Sequence, residues 1–210
     1  MRDSYVGDVG DYAKFGLSRA FTAEKKTLAI NWYYTPDLRD SGMEGKFIGY
    51  LRDQKFSEYD SELFKILTKS TLEKGERNIK SLEKLKIGAK IFHGDPVPGG
   101  GTKRKLWHQR ALEATNDAEI VFLDPDNGLA SEKMTQNNIF SVKHALWNEI
   151  NDYYQRGQSV LLYQHRPRAK SREALIDDIR DFNKAFLKAD ALFYGDFSRC
   201  QNRYILFLLP

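Results

Sequence analysis

Cysteine is almost missing from this chain: Cys200 is the only one among 210 residues. A lone thiol cannot close an internal disulfide and is too little for a thiolate metal cage, which removes both as devices for holding the fold. Long apolar runs are missing as well. The longest, residues 120–123, 160–163 and 204–209, are strand-sized and cannot span a bilayer. The start, Met1-Arg2-Asp3-Ser4, has no apolar segment of the kind that directs secretion. No internal repeat, low-complexity tract or linker is visible. These absences lead to the expectation of a cytoplasmic protein in a reducing compartment, with no membrane partner.

What is present fits one α/β domain over 1–210 with a helical insertion over about 43–86. The length allows a full core. Apolar content of 41% and charged content of 30% are globular values. Net charge is +4 and the sequence pI about 9.0, a mild bias compatible with a polyanionic partner. The basic residues cluster. Lys103, Arg104, Lys105 and Arg110 form one group, and Arg166, Arg168, Lys170 and Arg172 another. Each adjoins the end of a predicted strand. A solvated basic surface is the competing reading.

Periodicity orders the elements. Residues 11–23 read as a helix with Tyr12, Phe15, Leu17, Ala20 and Phe21 mostly on one face and Asp11 as N-cap. Residues 28–34 read as a strand stopped by Thr35-Pro36-Asp37. Three helical pieces follow over 43–86, then a short strand over 90–92 and a glycine-proline loop over 96–101. Thr102 is expected to cap a basic helix reaching about Ala114. A strand begins at Ile120, a helix occupies 140–155, a buried strand 159–164 and a helix 171–187. The segments 191–197 and 204–209 read as an antiparallel hairpin joined by the polar turn 198–203. The fold class is a three-layer, Rossmann-like α/β domain with a mostly parallel sheet and a C-terminal antiparallel hairpin.

The stretch Ile120-Val121-Phe122-Leu123-Asp124-Pro125-Asp126-Asn127-Gly128 combines a buried strand with an abrupt polar end. A parallel strand that stops this way delivers its polar groups to the carboxyl rim of the sheet, where ligands bind in open α/β folds. An Asx-type turn bonding its own backbone is the bland alternative. His93-Gly94-Asp95, followed by Gly99-Gly100-Gly101, ends another strand, and its backbone amides with Lys103, Arg104 and Lys105 can hold an anion. Gln164-His165-Arg166-Pro167-Arg168 ends a third. There His165 is a candidate general base, and Arg166 and Arg168 are candidate phosphate ligands. Asp11 and Lys14 share a helix face, as an ion pair would. His108 and His144 fall inside predicted helices and read as structural.

The acidic-proline turn after a middle strand, together with the closing hairpin, resembles the class I methyltransferase fold. More narrowly, the chain is similar to the small adenine-N6 methyltransferases that act on large-subunit ribosomal RNA. Asp11-Tyr12-Ala13-Lys14-Phe15 stands where that family carries an Asp-Val-Leu-Lys-His-like element. Asp124-Pro125-Asp126-Asn127 stands where it carries Asp-Pro-Pro-Tyr, and His93-Gly94-Asp95 where a turn lies beside the cofactor adenine. The resemblance implies S-adenosylmethionine as cofactor, contacted by Asp11, Asn31, Gly94 and Asp95. It also implies methyl transfer to an adenine amino group held by Asp124 and Asn127, with Asp126, Lys14 and His165 lining the cleft. The chain departs from the family where a glycine-rich turn should follow the first strand. It has Asn31-Trp32-Tyr33-Tyr34-Thr35-Pro36 there, and no glycine before Gly42.

Two other function classes stay open at this point. Asp95, Asp124 and Asp126, with His165, would suit a nuclease or phosphodiesterase dependent on Mg or Mn. A non-catalytic module binding nucleic acid or a nucleotide on a decayed methyltransferase scaffold is the third. The sequence leaves oligomeric state open.

Overall fold

A computed structural model describes residues 1–36, 47–166, 170–197 and 203–209, with backbone alone at 197 and 203. Arg168, Gly42, Cys200 and most of the polar turn lie outside the described residues. The chain divides into two compact units, Met1–Leu28 with Pro36–Lys90, and Ala29–Thr35 with Ile91–Pro210.

The first unit is helical. Helix α1 (Val9–Ala23) starts earlier than expected, because Asp8 and not Asp11 is its N-cap: the Asp8 carboxylate accepts from Asp11 N at 3.0 Å. The Asp11 carboxylate in turn accepts from Gly7 N at 2.9 Å and pairs with Lys14 Nζ at 2.7 Å, inside the protein. Tyr12 packs on Tyr50, Phe56 and Phe64, and its hydroxyl donates to Phe56 O. The three helical pieces are short. They comprise 3-10 turns at Gly49–Arg52 and Gln54–Glu58, α2 (Ser61–Leu67) with a π-helical extension to Glu73, and α3 (Ile79–Leu82). Arg19 ties α1 to this part through Asp60, Glu62 and the carbonyl of Lys86. At Gly88 the backbone φ is +99° and an added Cβ would lie 2.6 Å from the backbone of Arg19, so only glycine fits there.

The second unit carries a mostly parallel six-stranded sheet in the order β2-β1-β3-β6-β8-β7. The strands are β1 (Leu28–Asn31), β2 (Ile91–His93), β3 (Ile120–Leu123), β6 (Ser159–His165), β7 (Ala191–Phe197) and β8 (Arg203–Leu209). β1–β2 and β3–β6 are parallel, while β8 runs antiparallel between β6 and β7, which gives the expected closing hairpin. A separate two-stranded ladder joins β4 (Gly128–Leu129) to β5 (His144–Ala145).

One face of the sheet, presenting Val121, Leu123, Val160, Leu162, Leu206 and Leu208, packs on three helices. They are α4 (Gly101–Ala114), α5 (Trp147–Gln155) and α6 (Arg172–Phe182). Trp107, Ile150 with Tyr153, and Leu175 with Ile179 and Phe182 are their contributions to this core. Each such side chain stabilises the unit by roughly 1.5–3 kcal/mol through removal from water.

Three expectations fail locally. The predicted strand 28–34 ends at Asn31, because Tyr33 takes a left-handed φ of +46° that no strand can contain. The predicted helix 140–155 is a 3-10 turn (Ile139–Lys143), then β5, then α5; His144 is therefore a strand residue and not a helical one. Helix α4 starts at Gly101 with Gly100 as N-cap, two residues before the expected Thr102 cap.

Candidate functional site

The chain leaves β1 for β2 on one side and returns to β3 on the other, so the strand order reverses between β1 and β3. At such a switch point two connections diverge and leave a crevice beyond the carboxyl ends of the strands. The end residues of β2, β1 and β3 form a polar row of His93, Asn31 and Asp124. His93 and Asn31 are cross-strand partners, and Asp124 N donates to Asn31 O at 3.0 Å.

Asn31 is fully buried and its amide is engaged at both ends. Nδ2 donates to the Tyr153 hydroxyl at 3.1 Å, and Oδ1 faces Tyr33 N at 3.4 Å and His93 Nδ1 at 3.1 Å. That arrangement assigns the proton of His93 to Nδ1. Burial drives the His93 pKa down from 6.5 to about 4, against the opposing attraction of Asp95, so the ring is neutral at pH 7. Its Nε2 lies 3.8 Å from Asp95 Oδ2, beyond hydrogen-bond reach. Asp95 is half exposed and meets Arg110 Nε at 3.0 Å. Its carbonyl accepts from Trp107 Nε1 at 2.9 Å, so α4 pins the turn after β2 near Gly94.

Behind this row sits a buried ion pair that sequence reasoning missed. Arg104 grips Glu149 in bidentate fashion, Nε to Oε1 at 2.6 Å and Nη2 to Oε2 at 2.9 Å. Its guanidinium also donates to His144 O and lies over the rings of Tyr33 and Trp107. Glu149 accepts further from the Tyr33 hydroxyl at 3.1 Å and from Leu146 N at 3.2 Å. Burial opposes the charge of Arg104, but Glu149 outweighs it and raises its pKa. Burial, reinforced by Glu149, pushes the Tyr33 phenol well above its ordinary range. Arg104, expected beside Lys103 and Lys105 as a phosphate ligand, is thus only 1% exposed and points inward, whereas the two lysines are exposed.

The acidic turn also differs from expectation. Asp124 and Asp126 are 1% and 7% exposed, so neither carboxylate lines an open crevice. Asp126 Oδ2 accepts from Thr35 Oγ1 at 2.8 Å. Asn127 is exposed, and its backbone N donates to Lys143 O at 2.9 Å, which starts the β4–β5 ladder. Gly128 has φ +92° and lies against the amide of Gln164, which accepts from Leu129 N at 2.7 Å. His165 and Arg166 are half-buried at the end of β6, where the His165 ring stacks edge-on to Tyr163. His144 stands near enough to Asp126 to be influenced by its charge, though burial dominates and lowers its pKa. Of the remaining candidates, Asp11 and Lys14 belong to the first unit.

Matched against known protein families, curated proteins and solved structures, the chain has no counterpart. Among the described residues, no three His, Cys, Asp or Glu side chains gather as a metal site would require, so Asp95, Asp124 and Asp126 do not form one. No helix among them is long and apolar enough to cross a membrane.

The turn after β1 tests S-adenosylmethionine directly. The resemblance places the cofactor methionine against that backbone. Here the amides of Trp32 and Tyr33 are given to His93 O and Asn31 Oδ1, and both side chains are wholly buried. Asn31 has no amide hydrogen-bonding face turned outward. These residues do not fit the cofactor in that position.

Proposed function

We propose that the chain is directed at nucleic acid or a nucleotide, and recognises it on a methyltransferase-like, Rossmann-like scaffold without S-adenosylmethionine. The acidic-proline turn after a middle strand and the closing hairpin support the scaffold. One observation carries the functional reading. The polar turn Asp124–Asn127 lies at the switch point of the sheet and presents Asn127 to solvent, while the cofactor turn beside it is filled by Trp32 and Tyr33. An exposed carboxamide offers both a donor and an acceptor to the edge of a base, the pairing by which Asn reads adenine. This favours the binding-module reading over the methyl transfer that the resemblance implies, and over the metal-dependent nuclease.

Thermal unfolding tests it. A ligand at 100 times its dissociation constant stabilises the folded state by about 2.7 kcal/mol. Adenosine monophosphate or an adenine-rich oligonucleotide is expected to raise Tm, and Asn127→Ala to remove the rise. S-adenosylhomocysteine and manganese are expected to leave Tm unchanged. A rise with S-adenosylhomocysteine restores the methyltransferase reading, and a rise with manganese alone restores the nuclease. No rise with any adenine ligand ends the proposal.

A further inference from the structure

The segment following the acidic turn exposes two large apolar side chains side by side, Ile139 at 74% and Phe140 at 63%. They are not on a loose loop. Asn138 caps the 3-10 turn by accepting from Phe140 N at 2.9 Å, Ser141 is buried beneath it, and Phe140 O faces His144 Nδ1 at 3.1 Å. Apolar side chains presented on a backbone held this firmly are not lost to local collapse, and a turn that is already ordered loses little backbone entropy on binding. The turn is joined to α4 by two hydrogen bonds, Gly101 N to Asn137 Oδ1 at 3.1 Å and Arg104 Nη2 to His144 O at 2.9 Å. Because Arg104 is drawn inward by Glu149, its neighbours Lys103 and Lys105 turn outward, with Leu106 half exposed beside them. The exposed residues from 102 to 110 of α4 include no acid; Glu113 is exposed only in its last turn. Lys143, half-buried, adds a third cation three residues after Phe140.

We propose that Ile139, Phe140, Lys103, Lys105 and Lys143 form a docking surface for single-stranded nucleic acid. The Phe140 ring stacks on an unpaired base and the lysines meet flanking phosphates. Aromatic faces interleaved with cations suit a single strand, whose bases are open to stacking; a duplex hides them. The surface is continuous with the acidic turn, since Asn127 N bonds Lys143 O and β4 pairs with β5. A strand seated there brings a neighbouring base to Asn127. The inference rests on the nucleic-acid reading above and gives it a substrate form.

Fluorescence anisotropy with labelled adenine-rich 12-mers, as single-stranded RNA, single-stranded DNA and duplex, tests the surface on the full chain. Single strands are expected to bind more tightly than the duplex. Phe140→Ala is expected to weaken binding roughly tenfold, and Phe140→Trp to retain it. Lys103→Gln with Lys105→Gln is expected to flatten the dependence of log Kd on log salt by roughly 1.4. All four substitutions are at exposed positions, and unchanged melting confirms that the fold is kept. Wild-type affinity in both variants overturns this surface, and the recognition reading then stands only if Asn127→Ala still abolishes the nucleotide-induced rise in Tm. Tighter binding of duplex, or a change of oligomeric state on Phe140→Ala with oligonucleotide affinity unaltered, also overturns it. If neither oligonucleotides nor adenosine monophosphate bind, both proposals fall together.

Discussion

Glu149 gathers three donors of the second unit onto one carboxylate. It accepts from Arg104, Tyr33 and the Leu146 amide, all away from water. Removing one partner of a buried pair leaves an unpaired charge, which costs about 3–5 kcal/mol. Glu149→Ala is therefore expected to lower the urea midpoint sharply, and Arg104→Met with Glu149→Met to recover part of the loss. A loss below about 1 kcal/mol in the single variant, the value of an exposed pair, contradicts this account. This pair was illegible in the sequence because Arg104 sits between two lysines and its partner lies 45 positions away. A run of like charges suggests a common surface, yet a helix sends adjacent residues in directions about 100° apart. The available hint was a lone glutamate next to Ile150 on the apolar stripe of α5.

At the scale of elements, the ladder that holds the acidic turn depends on one glycine. A Cβ at Gly128 would lie 2.4 Å from Gln164 Oε1, the atom that accepts from Leu129 N, and the φ of +92° suits only glycine. Gly128→Ala is expected to destabilise by more than about 1 kcal/mol and to speed amide exchange at Leu129. Gln164→Ala in the same chain should relieve the collision but not the strained φ. Unchanged exchange would show that Gln164 is not the strut. The central strands were legible here, since residues 120–123 and 160–163 are continuous apolar runs, as strands buried on both faces must be. The hairpin was legible as two strand-sized segments joined by a polar turn. The helix expected over 140–155 was not, because Val142 and Leu146 keep helical spacing although one sits in a 3-10 turn and the other caps α5, with β5 between them. The candidate site shared that fate. Its position at the ends of β1, β2 and β3 was readable from where the apolar runs stop. Which of its polar groups face solvent was not, because that depends on partners such as Thr35 for Asp126.

For the molecule as a whole, acidity is the expected weakness. His93 is neutral when folded, with a pKa near 4, and has an ordinary value of 6.5 when unfolded. Its folded pKa is the lower one, so between those values the unfolded chain binds more protons and stability falls as pH drops. The full difference amounts to about 3 kcal/mol, and burial of His144 acts in the same direction. Urea midpoints are expected to fall from pH 7 to pH 4.5, and His93→Gln to flatten that fall. An identical slope in the variant assigns the acid sensitivity to other groups.

The position of β8 has a consequence for how the molecule is made. It is the last strand of the sheet in chain order, yet it lies between β6 and β7. Until β8 is added, β7 has no ladder to join, and β6 carries a bare edge of the kind that templates aggregation. Completion of the sheet waits on its final seven residues entering an occupied interior. Vectorial synthesis therefore makes this a fold that closes only after translation has passed residue 209.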